Sequence, residues 1–368
     1  MDRTALKDKA LLAAGRLRNL QRPDNEETLA KTLPDGGKSI GVYSRDFGME
    51  PWDWPQGVGL YGMQKFAAAT GDETVAEYVK TWYMEHLRQP LPVHNINTTA
   101  PMLALAGLGQ MGEDEMHAWA QWLLHGLPRT ADGGFQHTTT DDAEKGTINL
   151  NEGEVWVDTL FMAALFLARY GKRYGNAACV DEAVHQFLLH IKYLYDKNTG
   201  LFYHGYTFLE KHNFGGIYWG RGNCWFTMAV MELLEILGDT LDGGVKAYLL
   251  DTYRAQAHAL KVLQSPDGLW HTVLNDPASY TEASGSAGFL YGLLKGVHGG
   301  YLDKSYLSCT DQAIQALERC ITPDGTVTKV SAGTGMGWNA DHYKNIITAP
   351  MAYGQALTLL AFSEALRD

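Results

Sequence analysis

Six stretches of this 368-residue chain are long enough to be helices and nearly free of charge: about 55–69, 98–111, 154–171, 221–237, 284–297 and 349–366. They are rich in Gly, Ala, Ser and Met and apolar on every face. Such helices need burial on all sides. Six amphipathic stretches alternate with them, at about 3–20, 72–88, 113–127, 178–193, 243–264 and 302–319. DETVAEYVKTWYMEHL and EDEMHAWAQWLLHGL show their pattern, with charge on one face and apolar side chains on the other. The two kinds alternate strictly, outer then inner, and credible strand runs are few. Consecutive helices of this kind pack antiparallel. Six pairs around one axis predict an all-α fold, the (α/α)6 barrel. The last helix, which contains Ala349-Pro350-Met351-Ala352-Tyr353-Gly354, is expected to close the ring against the first.

The longer connections all precede inner helices, at 21–54, 89–97, 128–153, 194–220, 265–283 and 321–348, so they gather at one end of the barrel. They hold Pro92-Val93-His94-Asn95-Ile96-Asn97, Gly134-Phe135-Gln136-His137, Tyr203-His204-Gly205 and Tyr218-Trp219-Gly220-Arg221. Function usually resides on loops held by a rigid scaffold. No linker or low-complexity segment interrupts the pattern, which predicts one domain over 1–368.

A hydrophobic fraction of 45% is enough for one large core or two ordinary ones. Ten tryptophans and nineteen tyrosines suit a cleft that stacks on rings, although large helical cores use aromatics too. The net charge of −12, with no basic run, argues against nucleic acid. It does not exclude an anionic small substrate, because one arginine can reverse the field inside a pocket. Cys179, Cys224, Cys309 and Cys320 have no metal-ligand spacing and read as reduced thiols. The N-terminus, MDRTALKDKALLAAGRL, is charged throughout, and no stretch is long and apolar enough to span a bilayer. The expectation is a cytoplasmic protein without a membrane anchor, either a monomer or a small homo-oligomer.

Within the third inner stretch lies an aspartate in apolar sequence, Val155-Trp156-Val157-Asp158-Thr159-Leu160-Phe161-Met162. A carboxylate there is costly to ionise, so its pKa is expected to rise, which suits a group that gives and takes a proton near neutral pH. The competing reading is a helix aspartate bonded to a buried tryptophan N–H or a hydroxyl. Two more segments open inner helices at the same end. They are Trp52-Asp53-Trp54-Pro55-Gln56-Gly57 and Trp219-Gly220-Arg221-Gly222-Asn223-Cys224-Trp225. Arg221 offers a planar fork for a carboxylate or a tie between two helices. Trp219 and Trp225 offer faces for a sugar or core packing. Trp54 is either a further platform or a helix-entry staple before Pro55. His204, between aromatics and beside a glycine, can donate to a ligand oxygen or bond to backbone. His137 and His271 are weaker candidates. No metal-binding spacing is present, no catalytic metal or cofactor is expected, and Gly333-Thr334-Gly335-Met336-Gly337 follows no strand and makes a poor phosphate loop.

Six motifs, in order, resemble the unsaturated rhamnogalacturonyl hydrolases, glycoside hydrolase family 105, relatives of the unsaturated glucuronyl hydrolases. They are WDWPQGVGLYGM, VWVDTLFMAALFLARYG, GLFYHGY, WGRGNCW, DGLWHTVLNDPASYTEASGSAGFLYGLLKGV and GTGMGWNADHYKN, and the likeness spans nearly the whole chain. The resemblance implies the (α/α)6 barrel. It also implies removal of a 4,5-unsaturated uronic acid, galacturonyl or glucuronyl, from the non-reducing end of lyase-generated oligosaccharides such as those from pectin. Asp158 is then implied as general acid and base, with His204, Trp219 and Arg221 as substrate-contacting residues. Trp225, Trp54, His94 and Asn97 complete the expected substrate-binding set. One departure stands out: related enzymes often place a second aspartate before the second inner helix, where this chain has His94-Asn95-Ile96-Asn97-Thr98-Thr99. His94 or Asn95 is expected to take over its role, unless substrate preference has moved. Cys224 stands where glycine is common, either narrowing the pocket or silent.

Three other readings remain open at the level of sequence. A sugar epimerase would need a histidine pair, His204 with His271 or His137. An inverting glycosidase would need two spaced carboxylates, of which Asp53 and Asp158 are the candidates. A non-catalytic saccharide-binding protein would have lost turnover with the missing aspartate.

Overall fold

The structure, a computed structural model, describes residues 2–22, 31–32, 38–39, 44–142 and 146–367. Parts of the first long connection (23–30, 33–37 and 40–43) and of the third (143–145) therefore lie outside the described residues.

In chain order the helices are α1 (Arg3–Asn19), α2 (Trp54–Thr70), α3 (Glu73–His86), α4 (Ile96–Leu105), α5 (Glu113–Gln121), α6 (Leu165–Tyr174) and α7 (Ala177–Leu194). They continue with α8 (Gly220–Leu237), α9 (Gly243–Leu263), α10 (Ala283–His298), α11 (Leu307–Cys320), the short α12 (Ala340–Lys344) and α13 (Ala352–Ala365). Many start on side-chain caps. Asp53 accepts from Trp54 N, Asn95 forms a capping box with Thr98, and Glu282 accepts from Ser284 N and Gly285 N.

The helices α2, α4, α6, α8, α10 and α13 pack side by side in that order, and α13 returns to α2, closing the inner ring; all are poor in charge except α6, which carries Arg169, Lys172 and Arg173. The amphipathic helices form the outer ring. Each packs against the inner helix that precedes it, and α1 packs against α13. The reason is connection length. Inner-to-outer links are tight, as at Gly71, whose left-handed conformation (φ 69°) ends α2 just before Asp72 caps α3. Outer-to-inner links are long, and all reach the same end.

The third inner stretch departs from expectation at its start. Glu154–Trp156 is a strand paired antiparallel with Gly205–Thr207, and the helix begins only with a π-helical turn, Leu160–Ala164, that runs into α6. The β-branched and aromatic run Val155-Trp156-Val157 favours that pairing.

The inner helices approach closely. A Cβ on Gly57 of α2 would stand 2.5 Å from Pro101 N of α4, and one on Gly292 of α10 would meet Thr227 O of α8 at 2.7 Å. Cys224 serves the same packing: it is fully buried, and its Sγ faces Gly288 of α10. Away from the long loops, Glu232 of α8 is completely buried. It accepts the phenolic protons of Tyr61 and Tyr291 and pairs with Lys65 at 3.2 Å and Lys295 at 3.0 Å. Burial alone would raise its pKa, but the two ammonium groups and two phenols outweigh burial and hold the carboxyl below the ordinary range.

Candidate active site

Asp158 and His204 lie 46 positions apart in sequence and are brought together by the small sheet. Val157 N donates to His204 O at 3.0 Å, so the two residues emerge side by side at the end of the strand pair. Asn223, at the start of α8, fixes the other edge. Its amide accepts from Phe202 N at 2.7 Å and donates to Phe202 O at 2.8 Å. The result places His204 Nε2 3.8 Å from Asp158 Oδ2. Neither atom has a hydrogen-bond partner, although both are buried.

Such isolation is expensive for a charge. Burial pushes the Asp158 carboxyl up to about 7, against the opposing pull of its local backbone, the Arg221 charge and the Trp225 indole. The side chain is surrounded by protein yet keeps 17% of its surface open through the cleft. His204 moves the other way. Burial, and then the neighbouring His137 and Arg221, hold it well below the ordinary imidazole range, so it is neutral.

Asp158 lies in a cleft of about 400 Å³ at the long-loop end. Trp54, Asn97, Trp219, Arg221 and Trp225 line the same cleft. Trp54 leans on Tyr353, with ring centroids 4.7 Å apart, and stands edge-on to Trp225 at 6.0 Å. Trp219 packs against the His204 ring at 4.3 Å. The indole N–H of Trp219 has no partner, which leaves a donor for a ligand, while that of Trp225 is directed at the Asp158 carboxyl.

Arg221 is 2% exposed and heavily engaged. Its Nη1 donates to Ser284 Oγ at 3.2 Å, to Ser331 O at 3.0 Å and to Ser331 Oγ. Its Nη2 donates to Ala332 O and Thr334 Oγ1, both at 2.9 Å. The guanidinium thus rivets α8 and α10 to the 331–334 loop. It offers the cleft a fixed positive charge and makes the tie between helices that the sequence left open beside a free fork.

His94, like His204, is not among the residues that line the cleft, and its half-buried ring stands edge-on to Trp119 at 4.1 Å. Asn95 is fully buried and engaged, capping α4 and donating to Thr140 Oγ1 at 3.0 Å. Of that segment it is Asn97 that reaches the cleft. His271 is also elsewhere, with its Nδ1 2.6 Å from Ser279 O, whereas His137 lines the cleft, stacked on Trp156 at 4.2 Å. Asp53 is spent on capping α2 and on Arg45 at 3.7 Å.

Several cleft residues escaped the sequence reading. A turn just before α2 (Ser44–Asp46) brings Arg45 and the buried Asp46, and strands Thr138–Asp142 and Thr147–Leu150 bring Thr139 and Asn149. Gly333, Thr334, Gly335 and Met336 of the glycine-rich loop also line the cleft, as does Trp338, which is 59% exposed and packs edge-on to Phe214 at 5.2 Å. Only that loop carried a signal, because GTGMGWNADHYKN is one of the six motifs. Among the described residues no group of three His, Cys, Asp or Glu side chains is placed to hold a metal ion, and no helix is long and apolar enough to cross a membrane.

The pattern of Glycosyl Hydrolase Family 88 matches residues 40–368. Unsaturated rhamnogalacturonyl hydrolase YesR of Bacillus subtilis is 32% identical over 343 residues, which span 89% of this chain and 93% of that protein. A solved structure described as a possible member of family 105 from Salmonella enterica superposes with a TM-score of 0.89 at 36% identity. It covers 100% of this chain and 94% of that one. A second such structure, from Klebsiella pneumoniae, gives a TM-score of 0.87 at 36% identity over the same shares of the two chains.

Proposed function

Because this chain belongs to the unsaturated rhamnogalacturonyl hydrolases, glycoside hydrolase family 105, we propose that Asp158 is the single general acid and base of its reaction. The enzyme is a glycoside hydrolase acting on unsaturated oligosaccharides left by lyases. Its preferred substrate, in our reading, is an unsaturated galacturonyl residue linked to rhamnose, and the whole chain works as one catalytic domain.

The observation that carries the assignment is the buried, unpartnered oxygen of Asp158, a residue that lines the cleft. A carboxyl held near 7 is substantially protonated at neutral pH and is also a competent base once ionised. Protonated Asp158 delivers its proton to C4 of the C4=C5 bond, leaving oxocarbenium character shared between C5 and the ring oxygen. The ionised carboxylate then takes a proton from water as that water attacks C5. The hemiketal opens to a C5 ketone, the former ring oxygen stays on C1, and the hemiacetal at C1 collapses to release the remaining saccharide. One carboxyl performs both transfers, so the spaced pair of an ordinary glycosidase is not required. Arg221 contributes a fixed positive charge for the uronate carboxylate. The N-termini of α4 and α8, which no acidic side chain caps, add positive dipole ends beside the cleft, where Asn97 and Arg221 lie. Trp54, Trp219 and Trp225 supply ring faces, Asn97 a polar contact and neutral His204 a donor. Trp338, at the rim, is the platform for the second sugar.

The test is isotopic. In D₂O containing H₂¹⁸O, deuterium should enter C4 and the heavy oxygen C5, with ultraviolet absorbance of the conjugated bond lost and no label in the released saccharide. Label at C1, with absorbance retained, would mean attack at the glycosidic carbon and would overturn the reading. Replacing Trp338 with Ala should raise KM on the disaccharide and leave kcat nearly unchanged, as steady-state kinetics will report.

A further inference from the structure

Tyr343, in the short helix α12, is 1% exposed. The side chain of Asn339 caps this helix by accepting from His342 N at 3.0 Å, which aims the tyrosine at His204. The Tyr343 Oη lies 2.9 Å from His204 Nδ1, and Gly337 N donates to it at 3.1 Å.

A phenol has one hydrogen to give and two lone pairs. Gly337 N–H can only donate, so it takes a lone pair. The contact with His204 is then either O–H to nitrogen or N–H to oxygen, and two observations choose between them. The other destination for the hydroxyl hydrogen is the Met336 thioether at 4.0 Å, a weak acceptor at the limit of range, against a ring nitrogen at 2.9 Å. On the far side of the ring, Nε2 faces Asp158 Oδ2 at 3.8 Å. A bare lone pair there would oppose a carboxylate oxygen whenever Asp158 is ionised. Both ends of the imidazole therefore favour a proton on Nε2.

We propose that Tyr343 is a positioning residue that holds His204 as the Nε2–H tautomer, so that one fixed donor faces Asp158 and the reacting end of the sugar. This rests on the assignment of Asp158 above. The 3.8 Å gap is too long for a direct bond and leaves His204 free to donate to a substrate atom or, after small movement, to the carboxylate left when C4 is protonated. Because burial keeps the ring neutral, His204 does not compete with Asp158 for the transferred proton. Gly337 continues the 331–334 loop that Arg221 rivets in place, so the loop forming the cleft wall also fixes the tautomer.

The experiment is long-range ¹H–¹⁵N correlation on protein labelled with ¹⁵N-histidine. His204 is assigned by its loss in His204→Gln, and Tyr343→Phe is measured alongside. Wild type should show a protonated Nε2 and a bare, hydrogen-bonded Nδ1. Tyr343→Phe should shift the Nδ1 resonance and mix the tautomers, and kcat should fall about 10–100-fold with KM changed less. A wild-type spectrum with the proton on Nδ1 overturns the proposal, whether or not the variant folds. So does an unchanged tautomer in Tyr343→Phe. The tautomer is read without turnover, so this failure is distinct from failure of the Asp158 assignment, which would show as retained activity in Asp158→Asn.

Discussion

In the proposed reaction Asp158 joins a burial cost to a catalytic use. Burial raises its pKa to about 7, and the hydration needs it protonated at the start. The rate of turnover should therefore fall as pH rises through about 7, along a single ionisation in a kcat/KM profile. The same shift bears on stability. At low pH the carboxyl is protonated in both folded and unfolded chains, and nothing is lost. As pH rises from the ordinary carboxylate value towards about 7, the unfolded chain ionises first and the folded state loses ground. Replacing Asp158 with Asn removes that loss, which is at most about 4 kcal/mol. The variant should melt above wild type near pH 8, and the difference should shrink towards about pH 4. Equal melting curves at both pH values would mean that the carboxyl is not strained by burial. His137 titrates the opposite way: burial, then His190 and Arg45, lower it to about 3. Its share of stability is full above the ordinary imidazole value and is lost as pH falls below it.

Helix type and order were legible in the sequence because charge-free runs have one stable place in a soluble fold, inside a ring of other helices. What composition could not convey was which positions touch. Glycine enrichment in the inner helices becomes specific only where Gly57 meets the Pro101 backbone and Gly292 meets Thr227. Alanine at Gly292 should force α8 and α10 apart and cost about 1–3 kcal/mol in chemical denaturation. A cost near zero would mean that the ring adjusts freely. The boundary at Asp158 was misjudged because an apolar run reads equally as buried helix or buried strand. Val155 and Trp156 are strand, and that strand carries the aspartate to His204. The segment 94–97 shows a second limit. His94, in the loop, meets Trp119, while Asn97, already in the first turn of α4, meets the cleft.

Across the whole molecule, the toroid separates its two ends. One gathers the long loops and the inner-helix N-termini around a cleft. Away from that cleft, Glu232 ties α2, α8 and α10 through Tyr61, Tyr291, Lys65 and Lys295. Replacing Glu232 with Gln removes the buried anion, while Lys65 and Lys295 keep Glu235, and should cost about 1–3 kcal/mol by urea denaturation. Loop lengths revealed the asymmetry of the two ends, and the motifs contain Asp158, Trp219 and Arg221, which line the cleft, and His204 beside them. Asp46, Thr139 and Asn149 were illegible, because they reach the cleft from turns and strands remote in sequence and carry no pattern of their own. The most direct test of the proposed chemistry is the rate of ultraviolet absorbance loss from an unsaturated galacturonyl-rhamnose disaccharide, wild type against Asp158→Asn. Catalysis by a single carboxyl predicts rapid loss with wild type and a rate at least about 10²-fold lower with the variant, both proteins being folded. A variant that bleaches the substrate at close to the wild-type rate would contradict it.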